Sequence, residues 1–116
     1  QLEPIYFDLD KSFIRPDAEI ELQKVIAALQ EYSNINIDVR SHTDSRAGDD
    51  YNMRLSERRA HSTMKYIIDK GNIDKSRLSG RGYGETAIVN ECINDINCSE
   101  EKHQLNRRSE FIIIKL

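Results

Sequence analysis

The densest run of chemically capable side chains is Ser41-His42-Thr43-Asp44-Ser45-Arg46, which brings hydroxyls, an imidazole, a carboxylate and a guanidinium together. Further on, Asn52, Leu55, Ser56 and Arg59 fall at i, i+3, i+4 and i+7, one face of a helix. Two turns would separate Asn52 from Arg59 by about 10 Å along the axis. The start of that helix adjoins the segment carrying Asp44, so a carboxylate and a guanidinium would face a common pocket from two elements. Such a pair suits a zwitterion, with Asp44 taking an ammonium and Arg59 forking onto a carboxylate. The competing reading is a hydrophilic loop in which Asp44 and Ser45 make local turn bonds. Arg59 would then pair with Glu57, Asp44 or another surface acid, contributing under ~1 kcal/mol. On these residues alone both readings stand.

Other groups extend or compete with that pair. Asp8 and Asp10 follow a short apolar run, and Arg107 in Asn106-Arg107-Arg108 would complete an anion-binding rim or sit at a solvated strand entrance. A hydrolase would draw on Ser41 or Ser45 with His42 and Asp44, but neighbours on an extended segment point different ways and make a poor triad. His61 and His103 would have to supply a base from elsewhere. Cys92 and Cys98 lie in a polar stretch with Asn90, Asn94 and Asn97. They would close a short disulfide loop worth about 2 kcal/mol, or join His103 in a metal site. The metal reading lacks the usual close cysteine pair and an obvious fourth ligand. The disulfide implies an oxidising compartment. Gly80-Arg81-Gly82-Tyr83-Gly84 resembles a phosphate loop only superficially, because no helix opens after its glycines; it reads as a strand end with a turn.

The elements that must position these residues are an alternation of strands and helices. Pro4–Phe7 opens as a strand. Pro16, with Asp17 and Glu19 behind it, starts a helix whose apolar stripe runs through Ala18, Leu22, Val25, Ile26, Leu29 and Tyr32. Ile35, Ile37 and Val39 alternate with Asn36, Asp38 and Arg40 as a half-buried strand, ended by the polar stretch Ser41 to Asp50. A second helix runs from about Tyr51 to Lys70 with Ala60, Met64, Ile67 and Ile68 inward, and Gly71-Asn72 stops it with glycine in a left-handed cap. Arg77–Tyr83 is a third strand and Glu110–Lys115 a fourth, buried one. Residues 84–109 between them hold the cysteines and a short helix near Ser99–Leu105, and a connection of that length signals functional or stapled structure. The expected class is α/β: a small mixed four-stranded sheet against two main helices, in βαβαββ order.

The 116 residues and 13.5 kDa correspond to one domain spanning 1–116. Charged residues make up 32% and the mean hydropathy is -0.67, and no uncharged apolar run approaches the ~20 residues of a membrane-spanning helix. Seventeen basic residues against twenty acidic ones give a net charge of -3, which disfavours a nucleic-acid surface. No signal-peptide pattern opens the chain, which begins at Gln1, and the expectation is a processed or excised piece of a longer protein.

Five motifs in order carry a resemblance: Ile5-Tyr6-Phe7-Asp8 with Asp10; Ser41-His42-Thr43-Asp44; Tyr51-Asn52 with Leu55-Ser56-Glu57-Arg58-Arg59-Ala60; Gly82-Tyr83-Gly84-Glu85; and Asn106-Arg107-Arg108-Ser109-Glu110. Together they resemble the OmpA-like C-terminal domain, the peptidoglycan-binding module of outer-membrane proteins, peptidoglycan-associated lipoproteins and flagellar stator subunits. The resemblance implies non-covalent, non-enzymatic binding of the peptide stem of peptidoglycan, centred on meso-diaminopimelate. By it, the contacting acid and base fall on Asp44 and Arg59, and neighbouring contacts on Asp10, Asn52 and Arg107. It also implies a periplasmic location, with membrane attachment only through parts of the parent protein outside this chain, and no cofactor. The loop cysteines look like a pair found in some members.

Two departures stand out. Ala47 replaces the glycine usual three residues after the binding aspartate, with Gly48 next, so a turn needing positive φ would shift to Gly48. Ile88 replaces the proline that usually follows Gly-Glu-x-x, which alters the expected path of the next loop.

Overall fold

The structure, a computed structural model, describes residues 2–93 and 97–116; Gln1 and, in the cysteine loop, Asn94 lie outside the described residues. The elements are β1 (Ile5–Tyr6), α1 (Pro16–Glu31), β2 (Ile35–Ser41), α2 (Asp49–Gly71), a 3-10 turn at Lys75–Arg77, β3 (Leu78–Gly82), α3 (Glu100–Gln104) and β4 (Arg108–Lys115). The four strands form one mixed sheet in the order β1-β4-β2-β3. β2 pairs parallel with β3 across the α2 crossover, and antiparallel with β4 from Ile35↔Lys115 to Ser41↔Ser109. This is the α/β class and mixed sheet read from the alternation, with the short helix near Ser99 present as α3.

The core follows the two periodicities. Ala18, Leu22, Val25, Ile26 and Leu29 bury one stripe of α1, and Ile35, Ile37 and Val39 bury one face of β2. They meet Ile5, Phe7, Ile67 and Phe111 in a single apolar cluster. Each fully buried aliphatic or aromatic side chain contributes about 1.5–3 kcal/mol from area removed from water. Pro16 starts α1 without a capping side chain, and Arg15 instead forks onto Asp17 at 2.9 and 2.8 Å.

Three local expectations are corrected. Tyr32 caps α1 and is 53% exposed instead of joining the stripe, because the helix has ended at Glu31. The left-handed residue after α2 is Asn72 (φ 52°, ψ 44°), not Gly71. Gly71 closes the helix and is needed for space, since a Cβ there would meet Ile26 Cγ2 at 2.8 Å. Finally, β4 is only half buried: Ile112, Ile113 and Ile114 are 37%, 43% and 43% exposed. β1 reaches only Arg108 and Ser109, so the flank of β4 beyond them has no neighbouring strand among the described residues.

β3 lies hard against α2. A side chain on Gly82 would be driven into the Ser56–Glu57 backbone, so glycine is required by close approach there. The Gly82 amide donates to Glu57 Oε1 at 2.9 Å, and the Gly84 amide to Ser56 Oγ at 2.8 Å. Glu57 and Ser56 are thus used to dock the strand.

Candidate functional site: a charged pocket at the end of β2

β2 runs out at Ser41, and the chain crosses to the start of α2 through the loop that carries Asp44. Two supports fix that loop from below. Ser41 Oγ and Ser109 Oγ lie 2.6 Å apart, and Thr63 Oγ1, which donates to the Arg59 carbonyl, lies 3.0 Å from the same Ser109 oxygen. From the side, Asn52 Nδ2 donates to the carbonyls of Asp44 (3.3 Å) and Ala47 (3.1 Å) and to Glu85 Oε1 (2.9 Å). The amide of Asn52 therefore braces the loop.

The loop makes one wall of a pocket of about 260 Å³. Asp10, Asp44, Asn52, Arg59 and Arg107, the residues singled out in the sequence, all line it. Thr43 and Arg46 add polar surface, and Leu9, Ala47 and Leu55 give it an apolar side. Asp10 sits in a left-handed turn (φ 60°) and accepts from the Tyr51 hydroxyl at 3.1 Å.

The two central charges are held very differently. Asp44 is 5% exposed. Burial opposes its ionisation, but the Arg46 side chain and amide, helped by Arg107, outweigh that and hold the carboxyl below its usual range. Its Oδ2 accepts from Arg46 Nη2 at 2.8 Å and Arg107 Nη1 at 3.3 Å. Arg59 is fully buried, and among the described residues its hydrogen bonds go to backbone carbonyls instead of to Glu57 or a surface acid. Its guanidinium donates to three carbonyls, those of Lys11 (2.8 Å), His42 (3.0 Å) and Asp8 (3.1 Å), and lies 5.1 Å from the Phe7 ring centroid. Burial, and then the charge of Arg107, push its pKa down to about 10, so it stays a cation at neutral pH. Arg107 is anchored through Nε to the Phe7 carbonyl at 2.8 Å.

The loop that carries both cysteines abuts this site. Cys92 and Cys98 are joined as a disulfide, so their sulfurs are not available to a metal with His103. Ser45 Oγ donates to the Cys92 carbonyl at 2.6 Å, tying the disulfide loop to the residue beside Asp44. The departure at Ala47 is absorbed without strain. Among the described residues the positive φ values belong to Asp10, Asn72 and Gly84, while Gly48 is extended at φ -68° and ψ 156°. The expected shift of a left-handed turn onto Gly48 does not occur.

The Ser–His–Asp grouping does not form a relay. Ser41 and Ser45 are bonded to Ser109 and to the Cys92 carbonyl, and Asp44 to arginines. His42 stacks on Tyr83 at 5.4 Å between centroids and faces Glu110 at 3.4 Å. Neither of its ring nitrogens has a hydrogen-bond partner among the described residues. The geometry offers instead an anion and several cations around a small cavity, suited to an ammonium at Asp44 and a carboxylate beside the guanidiniums.

Thr43 and Arg46 were not singled out individually from the sequence. Arg46 reaches Asp44 by local bonds over two residues, a pairing its spacing allows. Thr43 Oγ1 is buried without a partner among the described residues, which no sequence pattern signals. Among those residues no helix is long and apolar enough to cross a membrane.

Known proteins share this arrangement of chain. A protein named photosystem I P700 chlorophyll a apoprotein A2, from Gloeobacter violaceus, is 38% identical over 112 residues, which are 96% of this chain but 13% of that protein. The peptidoglycan-associated lipoprotein of Rhizobium meliloti is 33% identical over 109 residues, 94% of this chain and 58% of the relative. The chain thus spans less than two thirds of either relative. The crystal structure of the peptidoglycan-associated lipoprotein from Burkholderia pseudomallei superposes with a TM-score of 0.84 at 20% identity, covering 96% of this chain and 89% of that one, a likeness of fold. Residues 6–102, from the strand before Asp10 through the disulfide loop, match the model of the OmpA family, and to that family the chain belongs.

Proposed function

We propose that residues 1–116 act as one binding module that holds peptidoglycan non-covalently and ties an outer-membrane-associated protein to the cell wall. The ligand group is the diaminopimelate of the peptide stem. In an uncrosslinked stem its distal carbon carries an ammonium and a carboxylate, and the pocket offers the complements of both. The observation that carries this reading is the presence of the Asp44 carboxylate and the Arg59 guanidinium in the walls of one cavity of about 260 Å³. The name of the Rhizobium meliloti relative, which associates it with peptidoglycan, supports the same reading. The role is binding, not catalysis. A periplasmic location agrees with the disulfide, since such bonds persist in oxidising compartments. Attachment to the membrane is then through parts of the parent protein outside these residues.

Two measurements test the proposal together. Purified sacculi should co-sediment the wild-type chain, and free meso-diaminopimelate should compete it off. Asp44→Ala should remove both effects while keeping the wild-type circular dichroism spectrum. A folded Asp44→Ala protein that sediments like wild type would refute the site.

A further inference from the structure

Four side chains close into a ring at the pocket. Asp44 Oδ2 accepts from Arg46 Nη2 at 2.8 Å and from Arg107 Nη1 at 3.3 Å. Glu100 takes the other arm of each guanidinium, with Oε1 on Arg46 Nη1 at 3.0 Å and Oε2 on Arg107 Nη2 at 2.7 Å. Acids and bases alternate around this ring, and its formal charges cancel.

The position of Glu100 is prepared by its neighbours. It follows Cys98 of the disulfide and opens α3, whose first turn is capped by Ser99 Oγ accepting from the Lys102 amide at 3.3 Å. Arg107 is 3% exposed and pinned at Nε by the Phe7 carbonyl, so its head stays between the two carboxylates.

Without Glu100 the balance at Asp44 would turn from neutral to positive. Two guanidiniums would fall on one carboxylate, with Arg59 also in the pocket wall and Asp10 as the remaining lining acid. An ammonium approaching Asp44 would meet excess positive charge, whereas a plain carboxylate would be welcomed. We infer that Glu100 is a positioning and charge-balancing residue of the pocket: by sharing Arg46 and Arg107 with Asp44, it makes the site select a ligand bearing an ammonium beside its carboxylate over a simple carboxylate. The selectivity part rests on the zwitterion reading of the pocket; the sharing of cations does not.

The experiment compares wild type with Glu100→Gln in two ways. In the first, meso-diaminopimelate and pimelate, the seven-carbon diacid without amino groups, are titrated into each protein by calorimetry. Wild type should prefer diaminopimelate. Glu100→Gln should bind it roughly three- to fivefold more weakly, the size expected for one partly exposed charge, while pimelate binding holds or tightens. Glu100→Asp should fall between. An unchanged ratio of the two affinities in Glu100→Gln overturns the inference. In the second, the Asp44 carboxyl is titrated by carbon NMR without ligand. The groups facing it are Arg46, Arg107, Arg59, Asp10 and Glu100. Its midpoint should move further down in Glu100→Gln as both guanidiniums turn to Asp44, and an unmoved midpoint overturns the charge sharing. If wild type binds neither diacid, the diaminopimelate reading fails, and the NMR titration still decides the role of Glu100.

Discussion

Arg59 holds the Asp44 loop by its backbone: its Nη1 donates to the carbonyl of His42, two residues before Asp44, at 3.0 Å. The same guanidinium fixes the Asp8 and Lys11 carbonyls on the opposite wall of the pocket. Arg59 is therefore a clamp between two loops as well as a charge. Arg59→Ala would leave those carbonyls without their donor and open a void under Phe7. It should cost roughly 3 kcal/mol or more, and Arg59→Lys, which keeps the charge but loses the fork, should recover part of this. Asp44→Asn should cost about 1 kcal/mol, because Glu100 still engages both arginines. Urea denaturation compares them, and equal midpoints for Arg59→Ala and Asp44→Asn would contradict the clamp.

Asn52 donates from one nitrogen to two carbonyls and a carboxylate. Asn52→Asp would turn that donor into an anion facing acceptors only. The expected loss is about 2 kcal/mol, together with faster amide exchange at Asp44–Ala47. Hydrogen exchange at those amides, unchanged from wild type, would argue that something else braces the loop.

The disulfide should matter to binding as well as to folding. Reduction releases a closed loop worth about 2 kcal/mol in the chain-entropy model. It also loosens the Cys92 carbonyl that receives Ser45 Oγ and the approach to Glu100. Reductant should thus lower the denaturation midpoint and, on the proposed function, the diaminopimelate affinity of wild type, while the double variant Cys92→Ser/Cys98→Ser is weak with or without reductant. Equal affinity in oxidised and reduced wild type would show that the loop is held without its cross-link.

His42 predicts a pH dependence of stability. Burial, then the charge of Arg108, lower its pKa from 6.5 to about 4, against the partial support of Glu110. Between pH 6.5 and 4 the unfolded chain gains a proton there that the folded chain refuses, so stability falls as pH drops through that window. The loss should reach about 2 kcal/mol. Denaturation curves at pH 7 and pH 4.5 measure it, and His42→Gln should flatten the difference. A slope that survives this substitution would have to come from other groups.

The parts of the molecule that were legible in the sequence are those set by local periodicity. The alternation Ile35, Ile37, Val39 placed β2, and the series Asn52, Ser56, Arg59 placed a polar face on α2 beside the Asp44 loop. Glu100 was not legible, because its partner Arg46 is 54 residues away in the chain and meets it, beside Arg107, only in the folded molecule. The run Ile112-Ile113-Ile114 misled for a related reason. An apolar run reports that a strand is disposed to be buried, whereas its exposure depends on a neighbour, and β1 is only two residues long. Gly71 and Asn72 exchanged roles because the space beside Ile26, a tertiary matter, decided which of the two had to lack a side chain.

The course of β2 has a mechanical meaning. The pocket adjoins its Ser41 end, while Leu2, Asn34 and Lys115 cluster around a separate groove at its Ile35 end. Under the proposed tethering role, a pull between a ligand at Asp44 and the Lys115 end of β4 would run lengthwise along β2 and β4. Antiparallel hydrogen bonds lie across that direction. The register from Ile35↔Lys115 to Ser41↔Ser109 is then loaded in shear, all along its length at once, instead of being unzipped from one end.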